Sequence, residues 1–230
     1  MSERLGAPRL HLRRTESTNT RARQLAAAGA PHGTLVTAGQ QTAGRGRQGR
    51  VWTAPAGKAL LCSLVIRDPP RLLPLAAGVA VAEVVAPDAL VKWPNDVLID
   101  GRKVAGILVE GRPQERWAVA GIGLNVALSR QDFPPELRDR SASLGLGPEA
   151  IEPTLERLLR ELERWLAATE PEVLAAVRER DALLDQPVSW ADGEGRGAGI
   201  DDDGRLLVRS GGRQLALDAG EVHLRAQKEW

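Results

Sequence analysis

Nine residues, Gly44-Arg45-Gly46-Arg47-Gln48-Gly49-Arg50-Val51-Trp52, bring together three chemistries. Glycine admits positive φ and lets backbone amides close on a ligand. Arginine presents a planar fork of donors that matches phosphate or carboxylate. A tryptophan face covers a base or packs into a core. The combination reads as a loop that closes over an anionic ligand, a nucleotide first among them. The same composition also suits a solvated, arginine-rich turn. A Walker loop would need Gly-Lys-Ser/Thr after four intervening residues, and a dinucleotide fingerprint would space its glycines differently; neither is present.

Three further clusters are weaker alone. In Lys92-Trp93-Pro94-Asn95-Asp96-Val97 the proline disfavours helix at Trp93, and Asn95 and Asp96 follow in turn-forming positions. Lys92 and Asp96 could stand at the mouth of a site with the Asn95 amide on a purine edge, or the stretch could be a strand-to-strand turn with an aromatic plug. Gly101-Arg102-Lys103-Val104-Ala105-Gly106-Ile107-Leu108-Val109-Glu110 sets Lys103 ahead of a strand whose Gly106 permits close approach of ligand or backbone; Lys103 also fits an ordinary exposed turn. Gly121-Ile122-Gly123-Leu124-Asn125 reads as a ligand-facing strand end or as a bulge. Cys62 lies in an apolar run and reads as core.

The elements that must position these residues follow from periodicity and breakers. Ser17 or Thr18 caps a helix that runs through Ala28 and stops at Gly29. Gly33 to Ala38 is a strand feeding the glycine–arginine loop, and Leu60 to Ile66 is a buried strand. Leu72 to Val85, apolar on most sides, is a buried helix. Ala89–Trp93, Val97–Ile99, Gly106–Glu110 and Trp117–Ile122 are further strands. Between Pro148 and Ala168, Leu155, Leu158, Leu159, Leu162 and Leu166 mark an amphipathic helix, and Pro171 to Arg180 continues as another. Beyond Asp185 come brief strands and tight turns: Pro187–Trp190, Gly199-Ile200, Leu206–Arg209 and Gln214–Leu217. They suggest a small β-barrel of the SH3-like kind.

The whole chain has 230 residues, 43% of them hydrophobic, enough for one sizeable domain with an appendage. Its net charge of +1 argues against a general polyanion binder. One cysteine forms no internal disulfide, which fits a reducing compartment. The charged stretch from Met1 to Arg14 is no signal peptide, and no apolar run reaches membrane-spanning length. The expected location is the cytoplasm.

Taken in order, the clusters resemble the biotin protein ligases, also called biotin–acetyl-CoA-carboxylase ligases. The resemblance runs from Thr15-Glu16-Ser17-Thr18-Asn19 through Gln41-Thr42-Ala43-Gly44-Arg45-Gly46-Arg47, Lys92-Trp93-Pro94-Asn95-Asp96 and Lys103-Val104-Ala105-Gly106-Ile107 to Gly121-Ile122-Gly123-Leu124-Asn125. It implies an α+β fold: a mixed, largely antiparallel sheet with helices on one face, related to class II synthetases and biotin–lipoate ligases. Residues 1–184 would form the catalytic domain and 185–230 the SH3-like C-terminal domain.

The resemblance further implies two steps. Biotin and MgATP give biotinyl-5′-AMP and pyrophosphate; a lysine amine of a biotin carboxyl carrier domain, from an acyl-CoA or pyruvate carboxylase, then attacks the mixed anhydride. Both substrates of the first step are anions, so preorganised cations must hold them together. By motif position, Ser17, Thr18, Asn19 and Gln41 contact the biotin head group, while Arg45, Gly46, Arg47, Lys103 and Gly106 line its tail. Arg47, Arg50, Trp52, Asn95, Lys103 and Asn125 contact ATP, with Trp52 stacking on adenine. Arg45, Arg47, Lys103, Asp96 and Lys92 carry the chemistry, Asp96 drawing the acceptor amine. Mg²⁺ is expected on the ATP phosphates, with no protein ligand assigned. Some relatives place a helix-turn-helix domain ahead of the ligase; here the first motif starts at Thr15, so the expectation is ligase activity without DNA binding or membrane attachment, in a monomer or weak homodimer.

Gly39-Gln40 replaces an acidic residue that many relatives carry, and Gln48 stands where a basic one is common. Two rival readings remain. A lipoate or octanoate ligase or transferase shares the fold but lacks the full loop and the Lys-Trp-Pro-Asn-Asp string. A nucleotide- or nucleic-acid-binding module would use the arginines and the barrel, and its binding would depend steeply on salt.

Overall fold

Strand alternation decides this fold. The computed structural model describes residues 4–218 and 220–224, the side chain of Pro113 excepted. Seven strands, β1 (Arg9–Leu12), β2 (Leu35–Ala38), β3 (Ala59–Arg67), β4 (Leu90–Lys92), β5 (Asp96–Ile99), β6 (Arg102–Arg112) and β7 (Trp117–Asn125), form one sheet in the order β1-β2-β3-β7-β6-β5-β4. Only β1 and β2 run parallel, so the sheet is mixed and largely antiparallel.

Along β3, Leu60, Cys62, Leu64 and Ile66 face one side, and Leu61, Ser63 and Val65 the other. The first set joins the main core with α2 (Leu73–Val85), α3 (Ile151–Ala167) and α4 (Glu170–Glu179). The apolar helix α2 is buried on most sides between the sheet and the amphipathic α3. A reciprocal Thr169–Glu172 capping box starts α4. The expectation of helices on one face therefore holds for these three. The first helix, α1 (Thr18–Ala27), lies on the opposite face, where Ala22 and Ala26 meet Val36, Val65, Trp117 and Val119. It covers one end of that face and leaves the rest for the site.

The remaining strands, β8 (Pro187–Trp190), β9 (Gly193–Ile200), β10 (Leu206–Ser210), β11 (Arg213–Leu217) and β12 (His223–Leu224), make a five-stranded antiparallel sheet in the order β11-β10-β9-β8-β12. Gly211 and Gly212, both at positive φ, form the two-residue turn between β10 and β11. This sheet is the C-terminal unit expected of an SH3-like barrel; residues 225–230 of that predicted domain lie outside the described residues. Sequence reading missed β1, whose Arg-Leu-His-Leu alternation sits in a charged stretch and is recruited by pairing with β2, and it missed the two-residue β12. The possible bulge at Gly121–Asn125 is instead regular β7, paired in register on both sides. Among the described residues, no helix is long and apolar enough to cross a membrane.

Candidate active site

The face that α1 leaves open becomes the floor of a cavity of about 750 Å³. All fifteen residues expected at the site line it: Ser17, Thr18, Asn19, Gln41, Arg45, Gly46, Arg47, Arg50, Trp52, Lys92, Asn95, Asp96, Lys103, Gly106 and Asn125. They come from the start of α1, the segment after β2, the β4–β5 turn, and the cavity-side ends of β6 and β7.

Register explains the floor. Across the sheet Asp96 pairs with Gly106 and Gly106 with Gly123, while Leu108 and Ser63 flank Gly121. Three glycines thus stand on the cavity face. A β-carbon at Gly123 would lie 2.5 Å from Trp52 Cε2, and one at Gly106 3.2 Å from Trp52 Cζ3. The Trp52 ring therefore lies over bare backbone. Its Nε1 is buried with no hydrogen-bond partner among the described residues.

At the α1 end, polar side chains form a buried chain. The α1 amide of Thr18 donates to Gln41 Oε1 (2.7 Å), so Gln41, and no side chain of Ser17, supplies the helix-start acceptor. Thr18 Oγ1 also donates to Gln41 Oε1 (3.0 Å), and Ser63 Oγ lies 2.8 Å from Thr18 Oγ1 and 2.6 Å from Asn19 Oδ1. Asn19 Nδ2 donates to Leu108 O (3.1 Å) and Glu110 Oε2 (3.0 Å). Glu110 in turn holds Arg45 Nη2 at 3.1 Å. The network fixes the orientation of Asn19 and ties the glycine–arginine loop to β6.

At the other end, cations surround one carboxylate. Lys103 Nζ is 2.6 Å from Asp96 Oδ1, a close ion pair that lacks the angle of a directed hydrogen bond, and Lys92 Nζ is 3.9 Å from Asp96 Oδ2. Burial lowers the Lys92 ammonium below its ordinary value; Asp96 partly offsets this and Lys103 adds to it. Lys103 Nζ also stands 5.6 Å from the Trp52 ring centroid. Arg47 Nη1 donates to Asn95 Oδ1 and Arg47 Nη2 to Gly220 O, both at 3.2 Å. Asn95 Nδ2 donates to Ile107 O (3.0 Å) and Asn125 Nδ2 to Ala142 O (2.9 Å). Both asparagines are thus oriented by the protein itself. Cys62 is buried on the opposite face, its thiol pushed up to about 12 by burial, and takes no part.

Sequence reasoning assigned no role to several contributors. Ser63 and Glu110 hold the polar chain; a serine inside the apolar run 60–66 was the available signal. Residues 133–141, including Arg140, form a wall, and Lys103 is paired into it by Lys103 N to Arg140 O and Ala142 N to Lys103 O. Gly220 to Leu224 of the C-terminal unit close another side.

The chain matches two family models: the Biotin/lipoate A/B protein ligase family over residues 11–126 and the Biotin protein ligase C terminal domain over residues 184–225. It is 39% identical to a biotin–acetyl-CoA-carboxylase ligase of Mycobacterium tuberculosis, covering 92% of this chain and 87% of that one. It is 34% identical to the ligase of the same name from Paracoccus denitrificans, covering 92% and 98%. A biotin protein ligase from Aquifex aeolicus, solved in complex with biotin and ATP, superposes with a TM-score of 0.78 at 27% identity, covering 95% of this chain and 99% of the other.

Proposed function

The chain belongs to the biotin/lipoate A/B protein ligase family and is an ATP-dependent biotin–protein ligase; from that premise we propose how its residues divide the work. The observation that carries the assignment is that one cavity joins a neutral hydrogen-bonding end at α1 to a cationic end around Asp96.

The ureido head group of biotin binds at Ser17, Thr18, Asn19 and Gln41. Ser17 offers a hydroxyl that caps nothing, and the Ser63–Asn19–Glu110 chain holds the neighbouring groups in place. The valeryl tail runs over Gly106 and Gly46 toward Arg45, Arg47 and Lys103, where its carboxylate meets the α-phosphate of ATP. Arg47 and Lys103 hold the two anions in contact and stabilise charge developing at phosphorus, an effect of preorganised charge that is worth most where water is excluded. Arg50 takes the departing pyrophosphate, Asn95 and Trp52 the adenine, and Asn125 the phosphates. Trp52 leaves the glycine floor to make room. ATP would bring Mg²⁺ with its phosphates, where the ion would offset their charge, and no residue of this chain is assigned to it. Asp96, held between Lys92 and Lys103, then draws in the acceptor lysine; after its ammonium gives up a proton to solvent, the free amine attacks the biotinyl carbonyl, the amide forms and AMP leaves as the anhydride bond breaks. The acceptor is a lysine of a biotin carboxyl carrier domain from an acyl-CoA or pyruvate carboxylase. Residues 1–184 act as the catalytic unit and 185–230 as its C-terminal partner. The lone buried cysteine supports a reducing, cytoplasmic setting.

The test is exchange of labelled pyrophosphate into ATP. Exchange should require biotin, fail with lipoate or octanoate, and fall on the order of 100-fold in Arg47→Ala and Lys103→Ala. Undiminished exchange in both variants would remove these residues from the adenylation step.

A further inference from the structure

The C-terminal unit places a carboxylate among cations that the reaction needs for phosphate. Glu221, just ahead of β12, lines the cavity. Both Nη atoms of Arg50 reach it, one on each carboxylate oxygen. The neighbouring Gly220 carbonyl accepts from Arg47 Nη2 at 3.2 Å, and His223 Nε2 stands 3.7 Å from Glu221 Oε2. Lys92 and Arg47 both feel its negative charge. A guanidinium that grips a carboxylate with both arms presents the same fork it would use on a phosphate. One fork serves one partner at a time.

We propose that Glu221 is a positioning residue that stands in for a phosphate: it holds Arg50 while the nucleotide is away, and the polyphosphate of ATP takes the fork from it. The proposal rests on Arg50 being a polyphosphate contact. Glu221 then acts at both ends of the adenylation step. It opposes ATP entry, and it reclaims Arg50 as pyrophosphate leaves. The C-terminal unit thereby tunes nucleotide affinity through one side chain without touching the reacting atoms.

Glu221→Gln keeps the size of the side chain and removes its charge. The Arg50 side chain is 60% exposed and that of Glu221 26%, so solvent screens the pair and the effect is modest. In biotin-dependent pyrophosphate exchange, KM for ATP should fall about two- to fivefold. Added pyrophosphate should inhibit biotinyl-AMP formation at correspondingly lower concentration, and KM for biotin should stay at the wild-type value. In an Arg50→Ala background, Glu221→Gln should change nothing further. A rise in KM for ATP would mean that Glu221 presents Arg50 to the nucleotide, and would overturn the proposal. An unchanged KM, an effect that persists without Arg50, or a parallel change in KM for biotin would also overturn it. Absence of biotin-dependent exchange in the wild-type protein would instead defeat the assignment of the site itself.

Discussion

Gly121 has no side chain to offer a ligand, yet it sets where Asn19 can be. A β-carbon there would lie 1.8 Å from Asn19 Oδ1 and 2.6 Å from its Cγ. Asn19 is itself 4% exposed and hydrogen-bonded to Ser63, Leu108 and Glu110. In Gly121→Ala, either Asn19 abandons those bonds or α1 shifts outward. Forced overpacking of this kind costs about 1–3 kcal/mol, so urea unfolding should report a loss of that size. Calorimetric titration should show biotin binding at least about tenfold weaker, since α1 carries the head-group contacts and a lost oriented hydrogen bond is worth about 1.4 kcal/mol or more. Wild-type affinity in this variant would mean that Asn19 is free to move and is not held for biotin. The glycine and the asparagine were both visible in the sequence as members of separate motifs. Their contact was not, because it depends on which face of β7 meets α1. Trp52 shows the same limit: its type pointed to stacking, while its rest position over Gly106 and Gly123 follows from sheet register.

The elements divide into those with a local signal and those without. The helices α1 to α4 and the apolar strand β3 were legible because periodicity and caps mark them; their boundaries differ from expectation by a few residues at most. The wall at 133–141, β1 and β12 were illegible because pairing with distant strands creates them. The glycine–arginine loop is intermediate. Its sequence predicts mobility, and the structure shows what restrains it: Arg45 on Glu110, Arg50 on Glu221, an Arg45–Val51 bridge, and Trp52 on the floor. The Val51 side chain is 67% exposed and adds no buried apolar anchor to that backbone bridge. Ion pairs this accessible are worth at most about 1 kcal/mol each. The loop should therefore open readily, and ligand anions should hold it shut. Limited trypsin digestion, which cuts after Arg45, Arg47 and Arg50, should slow markedly when biotin and MgATP are added together. A rate within 43–51 indifferent to both ligands would show that the loop does not close over them.

At the scale of the molecule, the architecture changes between the end of α4 at Glu179 and the start of β8 at Pro187, while the core continues across the junction. Val188, Ile200, Leu206, Val208 and Val222 of the C-terminal unit belong to the same buried cluster as Leu73, Leu75 and Val91 of the larger one. The junction is tight: a β-carbon at Gly197 would lie 1.9 Å from the Leu183 carbonyl oxygen. Polar bonds cross as well, Trp93 Nε1 to Gly204 O at 3.0 Å and Arg178 Nε to Ile200 O at 2.8 Å. The sequence marked the change from helix to short strands near residue 185 but gave no sign of the shared core, which needs the two units in contact. Two units that bury each other's apolar surface lose stability together, because opening one exposes the other to water. Urea unfolding of the whole chain should accordingly be a single transition, with far-UV circular dichroism and tryptophan fluorescence tracing the same midpoint. A C-terminal sheet that melted first, leaving the larger sheet intact, would make it a separable appendage. Its contacts with Arg47 and Arg50 would then be too transient to shape the cavity.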